Sequence, residues 1–142
     1  MSATLDPARS GVMRPVQAFL FAATVPLFVG AALSDYAYAS TYQVQWVNFS
    51  SWLIIGGLVF AGAALTCALV GLRRGDGRGG RLAVSFYLLL AAFVIGFLNA
   101  LIHARDAWAS MPTGLILSVI VAVLTCAATA VGFSTLRSSV RP

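Results

Sequence analysis

His103 is the only histidine in the chain, and its sequence neighbours make it the first place to look for chemistry. Asn99 precedes it by four residues and Asp106 follows it by three. Those intervals put the three side chains on one face of a helix. An imidazole titrates near neutral pH and can ligate a metal, and a neighbouring group decides which ring nitrogen carries the proton. Asp35 ends one apolar segment at the same level, and Asn48 and Ser51 begin another there, with Trp52, Arg105 and Trp108 nearby. The candidate ligand or partner site is therefore Asp35, Asn48, Trp52, Asn99, His103, Asp106 and Trp108.

Several chemistries compete for these residues. His103 could give one axial nitrogen to haem b, with Met111 or the same histidine of a second chain opposite; a bis-histidine haem within one chain is excluded by count. In a quinone pocket, His103 and Asp106 would bond the carbonyls while Trp52 or Trp108 stacks on the ring. In a purely structural role, His103 bonds Asp106, Asp35 or a loop carbonyl, and Asn99 joins helices through its amide. No serine or cysteine pairs with His103 by spacing, so nothing points to a catalytic nucleophile, and the chain does not read as an enzyme on its own. Cys67 and Cys126 form no Cys-x-x-Cys and no Cys/His cluster, which argues against a zinc or iron–sulfur site.

The elements that must position these residues are four apolar stretches, Pro15–Ser34, Val47–Leu72, Leu82–His103 and Pro112–Leu136. None contains an acid, an arginine or a lysine. Roughly 20 apolar residues in a helix cross a hydrocarbon core of about 30 Å. A soluble helix has no reason to be apolar on every face for so long. The composition agrees: 60% hydrophobic, 9% charged, in 142 residues. The expectation is an all-α bundle of four transmembrane helices forming one domain, residues 15–136, between a tail at 1–14 and another at 137–142. The inner halves of the stretches carry no ionisable group, so a proton relay across the membrane is not expected.

Arginine placement orients the bundle. Arg9, Arg14, Arg73, Arg74, Arg78, Arg81, Arg137 and Arg141 flank one side, and Arg105 alone flanks the other. Positive residues in short loops stay in the cytoplasm, so the expected topology is N-in/C-in in a bacterial inner membrane. The net charge of +5 then reads as an orientation signal and not as nucleic-acid binding. Ala37, Tyr38 and Ala39 after an apolar run resemble a signal-peptide cleavage site. The run Gln17–Leu33 exceeds the usual length of about 7–15 residues, which favours a retained span.

Small residues recur every three or four positions, as close helix crossings in lipid require. They are Ala18, Ala22, Gly30 and Ser34 in the first stretch; Gly57, Ala61, Ala64, Ala68 and Gly71 in the second; Ala92, Gly96 and Ala100 in the third. The fourth has Gly114, Ser118, Ala122, Cys126, Ala130 and Ser134, a stripe that could also mediate a homodimer. Tyr36, Tyr38, Tyr42, Trp46, Trp52 and Trp108 gather at the outer ends, as an aromatic belt does. The spacing of Tyr38, Tyr42 and Trp46 predicts a short interfacial helix in an outer loop, Asp35–Trp46. Asn48 is expected to cap the second helix, Pro112 to open the fourth, and Pro26 to kink the first.

Three segments, residues 33–38, 46–54 and 96–108, resemble a family of small bacterial membrane proteins, the domain of unknown function numbered 2231. The resemblance covers most of the chain beyond the N-terminal tail. It implies that Asp35, Trp46, Asn48, Trp52, Asn99, His103, Asp106 and Trp108 matter, and it brings no established activity or ligand. Other branches of that family carry a histidine early in the first span; Pro15–Ser34 has none, which counts against a two-histidine cofactor site. The resemblance also implies proximity to periplasmic quinoprotein dehydrogenases, which would fit a redox partner at the outer face. The resulting expectation is a small inner-membrane accessory subunit docking a partner at its periplasmic face. Its rival is an electron-transfer subunit binding haem b or quinone near His103.

Overall fold

A computed structural model describes residues 15–73 and 80–138, with side chains through residue 134. Four long helices carry the fold: α1 Pro15–Thr41, α2 Val44–Arg73, α3 Gly80–His103 and α5 Thr113–Ser138. A single-turn helix, α4 Ala107–Ser110, lies between α3 and α5. All four long helices have the length and composition to cross a membrane. The glycine- and arginine-rich connection between α2 and α3 falls mostly outside the described residues, as do Arg9, Arg14 and Arg141.

The helices form a closed ring. α1 packs on α2 and α5, and α3 packs on the same two, so α1 and α3 face each other across the diagonal. Buried positions alternate three and four apart: 17, 21, 24, 28, 31, 35, 38 on α1; 47, 50, 54, 57, 61, 64, 68 on α2; 82, 85, 89, 92, 96, 99, 103 on α3. A mean step of 3.5 residues keeps one seam facing the partner as helices wind around each other. The interior interleaves glycine, alanine, serine and threonine with a few large side chains, Phe21, Phe28, Ile54 and Leu89, while others such as Phe19, Leu33, Val59, Phe97 and Val123 point outward. Lipid is as apolar as leucine, so the seam is chosen by close packing and hydrogen bonding. Phe28 shows this at mid-bundle. A Cβ on Gly57 would come within 2.7 Å of its ring, and one on Gly96 within 3.5 Å.

The expected stripes are corrected by the same seam. Gly57, Ala61, Ala64, Ala68, Ala92 and Gly96 are buried, but Ala22 is exposed. On α5, Gly114, Ser118 and Ala122 are buried, while Cys126 and Ala130 face outward. Every fourth residue advances about 40° around a helix, so a strict four-residue stripe leaves a 3.5-residue seam within three turns. Hydroxyls take over some of the contact: Ser85 donates to Ala128 O at 2.7 Å, and Thr129 to Phe21 O at 3.3 Å.

The aromatic end also differs from expectation. No outer loop spans Asp35–Trp46. α1 runs on to Thr41, and only Tyr42 and Gln43 separate it from α2. Asp35 does not stop the helix, because its carboxylate is satisfied inside the bundle. Ser40 and Thr41 bond back to Tyr36 O and Ala37 O. Tyr42 ends α1 in the left-handed region, φ 57°, and its N–H caps Tyr38 O at 2.8 Å. Tyr38 and Trp46 therefore sit in different helices, and no interfacial helix joins them. Asn48 lies one turn inside α2 and caps nothing. Pro112 precedes α5, its carbonyl accepting Ile116 N–H at 3.2 Å.

Candidate functional site

α3 ends at His103, so the helical face proposed for Asn99, His103 and Asp106 breaks before Asp106. That residue is exposed, at the start of α4. The partner of His103 comes instead from across the diagonal. His103 Nε2 lies 2.9 Å from Asp35 Oδ1 on α1, with the two side chains 1% and 0% exposed. Asp35 is six residues before the end of α1, about 9 Å below it at 1.5 Å per residue.

The surrounding bonds fix where the protons are. His103 Nδ1 is 3.0 Å from the main-chain carbonyl of Asn99, which can only accept, so Nδ1 carries hydrogen and donates. The Ser118 hydroxyl on α5 donates to Asp35 Oδ2. Ser118 Oγ in turn accepts from Asn99 Nδ2 at 2.7 Å, which sets the orientation of that amide. One further proton lies between Nε2 and Oδ1. Whether the imidazole or the carboxyl holds it, the pair has zero net charge, the only state cheap enough to bury. Ser50 on α2 donates to Ala31 O at 3.2 Å and stands 3.5 Å from Nε2. All four long helices thus meet at one polar cluster.

Gly114 supplies the floor. A Cβ there would sit 2.8 Å from His103 Cε1 and 3.4 Å from each ring nitrogen. The imidazole therefore packs closely against the bare α5 backbone. One group stays unmet: Asn99 Oδ1 is buried without a hydrogen-bond partner. Gln17 Nε2, at the opposite end of α1, is unmet in the same way.

Of the seven candidate residues, the structure brings together Asp35, Asn99 and His103. Asn48, Trp52, Asp106 and Trp108 are exposed around the rim. Sequence reasoning missed Ser50, Ser118 and Gly114. Ser118 and Gly114 were visible only as small residues for packing. Ser51 was favoured over Ser50, yet Ser51 merely bonds Val47 O in its own helix. The 3.5-residue seam through Val47, Ser50 and Ile54 is the signal that would have chosen correctly.

The arrangement can hold one proton between two helices. It is not a hydrolytic triad, because the serine and the aspartate approach the same nitrogen while Nδ1 is tied to a carbonyl. Nor does His103 present a lone pair to a haem iron, since each ring nitrogen faces a protein oxygen. Among the described residues no three His, Cys, Asp or Glu side chains converge. Cys67 and Cys126 are free and exposed.

The model of one protein family, described as Predicted membrane protein (DUF2231), matches residues 13–137. No curated protein and no solved structure matches the chain.

Proposed function

We propose, from the premise that this chain belongs to the DUF2231 family of predicted membrane proteins, that it is an accessory subunit of a bacterial inner membrane which docks a membrane-associated partner through its aromatic end. One observation carries this reading. The neutral Asp35–His103 cluster ties all four helices together directly beneath a rim of exposed rings, Tyr36, Tyr42, Trp52 and Trp108. A buried polar network of this kind holds helices in one register. The rim above it is then a preorganised surface, and aromatic side chains are the commonest anchors of interfaces. The arginine end has Arg73 and Arg81 exposed, which supports an N-in/C-in orientation with the aromatic end outside.

A homodimer through α5 is less well supported, because Gly114, Ser118 and Ala122 already pack within the chain. The electron-transfer alternative has to act without an axial His103. A quinone at the rim, stacked on Trp108 or Trp52, remains compatible with it, and the partner would then be a redox protein.

A photo-reactive amino acid at Trp108, Trp52 or lipid-facing Val59 tests the proposal in native membranes. A discrete protein adduct from the Trp108 position, absent from Val59, is the expected result. Lipid adducts alone at all three positions would overturn it.

A further inference from the structure

We propose that the packed rings of Tyr42 and Trp108 form a latch controlling access to the Asp35–His103 pair from the aromatic end. Tyr42 belongs to the two-residue turn between α1 and α2, and Trp108 to α4, between α3 and α5. Their ring centroids are 5.9 Å apart and tilted by 34°. Tyr38, buried in α1, meets Tyr42 edge-on at 6.5 Å. A chain of rings therefore runs from the bundle interior to the second connection.

That second connection lies over the site. His103 is the last residue of α3, and Gly114, which floors its ring, is the second of α5. Residues 104–112 must cross between them at the end of the bundle. Within this crossing Ser110 is fully buried, whereas Trp108 is 76% exposed. A ring so exposed is held by the neighbour it touches, and that neighbour is Tyr42.

Tyr42 carries the second, independent sign. Its φ of 57° is a region that only glycine enters freely. Such strain persists where surrounding contacts over-determine it, and it clusters at clamps and switch regions. Relaxing Tyr42 to negative φ would carry its ring off Trp108 and free the crossing segment to lift. Water and small polar solutes would then reach His103 and the unmet Asn99 Oδ1. The inference concerns access to the pair and stands whether or not a protein partner docks at the rim.

Diethyl pyrocarbonate, which acylates imidazole nitrogen, tests it on the full chain in lipid nanodiscs without a polyhistidine tag. With one histidine in the sequence, every imidazole adduct reports the site. Trp108→Ala and Tyr42→Ala should each speed adduct formation roughly two- to tenfold, the worth of an aromatic pair expressed as an equilibrium constant. The double variant should be no faster than the faster single, since both remove one contact. Tyr42→Phe should keep the original rate. Tyr42→Gly should accelerate the reaction without lowering thermal stability, because it relieves strain while deleting the ring. Phe97→Ala, which removes an exposed lipid-facing ring outside the pair and the rim, should change nothing. Unaltered rates in Trp108→Ala and Tyr42→Ala, or equal acceleration in Phe97→Ala, would overturn the latch.

Discussion

Gly114→Ala is a one-methyl change that should dismantle the polar cluster. The new Cβ would stand 2.8 Å from His103 Cε1, where ordinary contact begins near 3.4 Å. The imidazole must therefore retreat by about 0.6 Å, or α5 must yield by as much. A shift of that size stretches the Nε2–Asp35 distance from 2.9 Å to at most about 3.5 Å, past the useful limit for a hydrogen bond of about 3.2 Å. Losing a buried charge-assisted bond costs about 1.5–3 kcal/mol. Holding the ring in place under strain costs about 1–3 kcal/mol instead. These are alternative outcomes and do not add, so the expected destabilisation is about 1–3 kcal/mol. Reversible unfolding in mixed detergent micelles measures it. A double-mutant cycle with His103→Ala isolates the cause: without the ring, the same methyl should cost under about 0.5 kcal/mol. A Gly114→Ala protein as stable as the original, or an equal penalty in the His103→Ala background, would refute the argument that α5 is bare there for the ring's sake.

Other perturbations probe the rest of the bundle. Asp35→Ala strips the acceptor from both His103 and Ser118 and should cost about 3–5 kcal/mol; Asp35→Leu combined with His103→Leu should recover most of that, and unfolding curves in which the double variant is as weak as the single would show the two residues to be uncoupled. Gly57→Ala brings a methyl within 2.7–2.9 Å of three Phe28 ring atoms and should cost about 1–3 kcal/mol. Phe28→Leu should rescue part of that loss in thermal unfolding, whereas an additive double variant would mean that the ring is not the obstacle. Asn99→Leu loses the bond to Ser118 but also removes an unmet carbonyl; its net effect should stay within about 1 kcal/mol, and a penalty above twice that would point to a donor resident at Oδ1. A periplasmic reporter fused at Arg78 should be silent and one at Asp106 active; the reverse pattern would invert the proposed orientation.

The reach of the sequence differed between the membrane spans and the site. Four apolar stretches without a charge admit little besides spanning helices, because lipid leaves backbone groups no other partner. Asp35 misled at the same level of reasoning. A charge at the edge of an apolar run reads as the end of a helix, yet α1 continues to Thr41. That residue's partner is 68 positions away in sequence, and no local rule indicates it. Asp106 misled in the opposite sense: helical spacing placed it beside His103, but the helix stops at His103 itself.

What the chain's own residues determine here is the solvent and the number of crossings, together with His103 as the group to watch. All three follow from local composition and from counting. Tertiary structure alone decided that His103 meets Asp35 across the diagonal, that Ser50 and Ser118 complete the cluster, and that Gly114 must lack a side chain. The physical reason is that lipid does not push apolar faces inward. Which face of each helix turns inward depends on how small residues and hydroxyls fit together between helices, and that fit is a property of pairs of helices brought into contact.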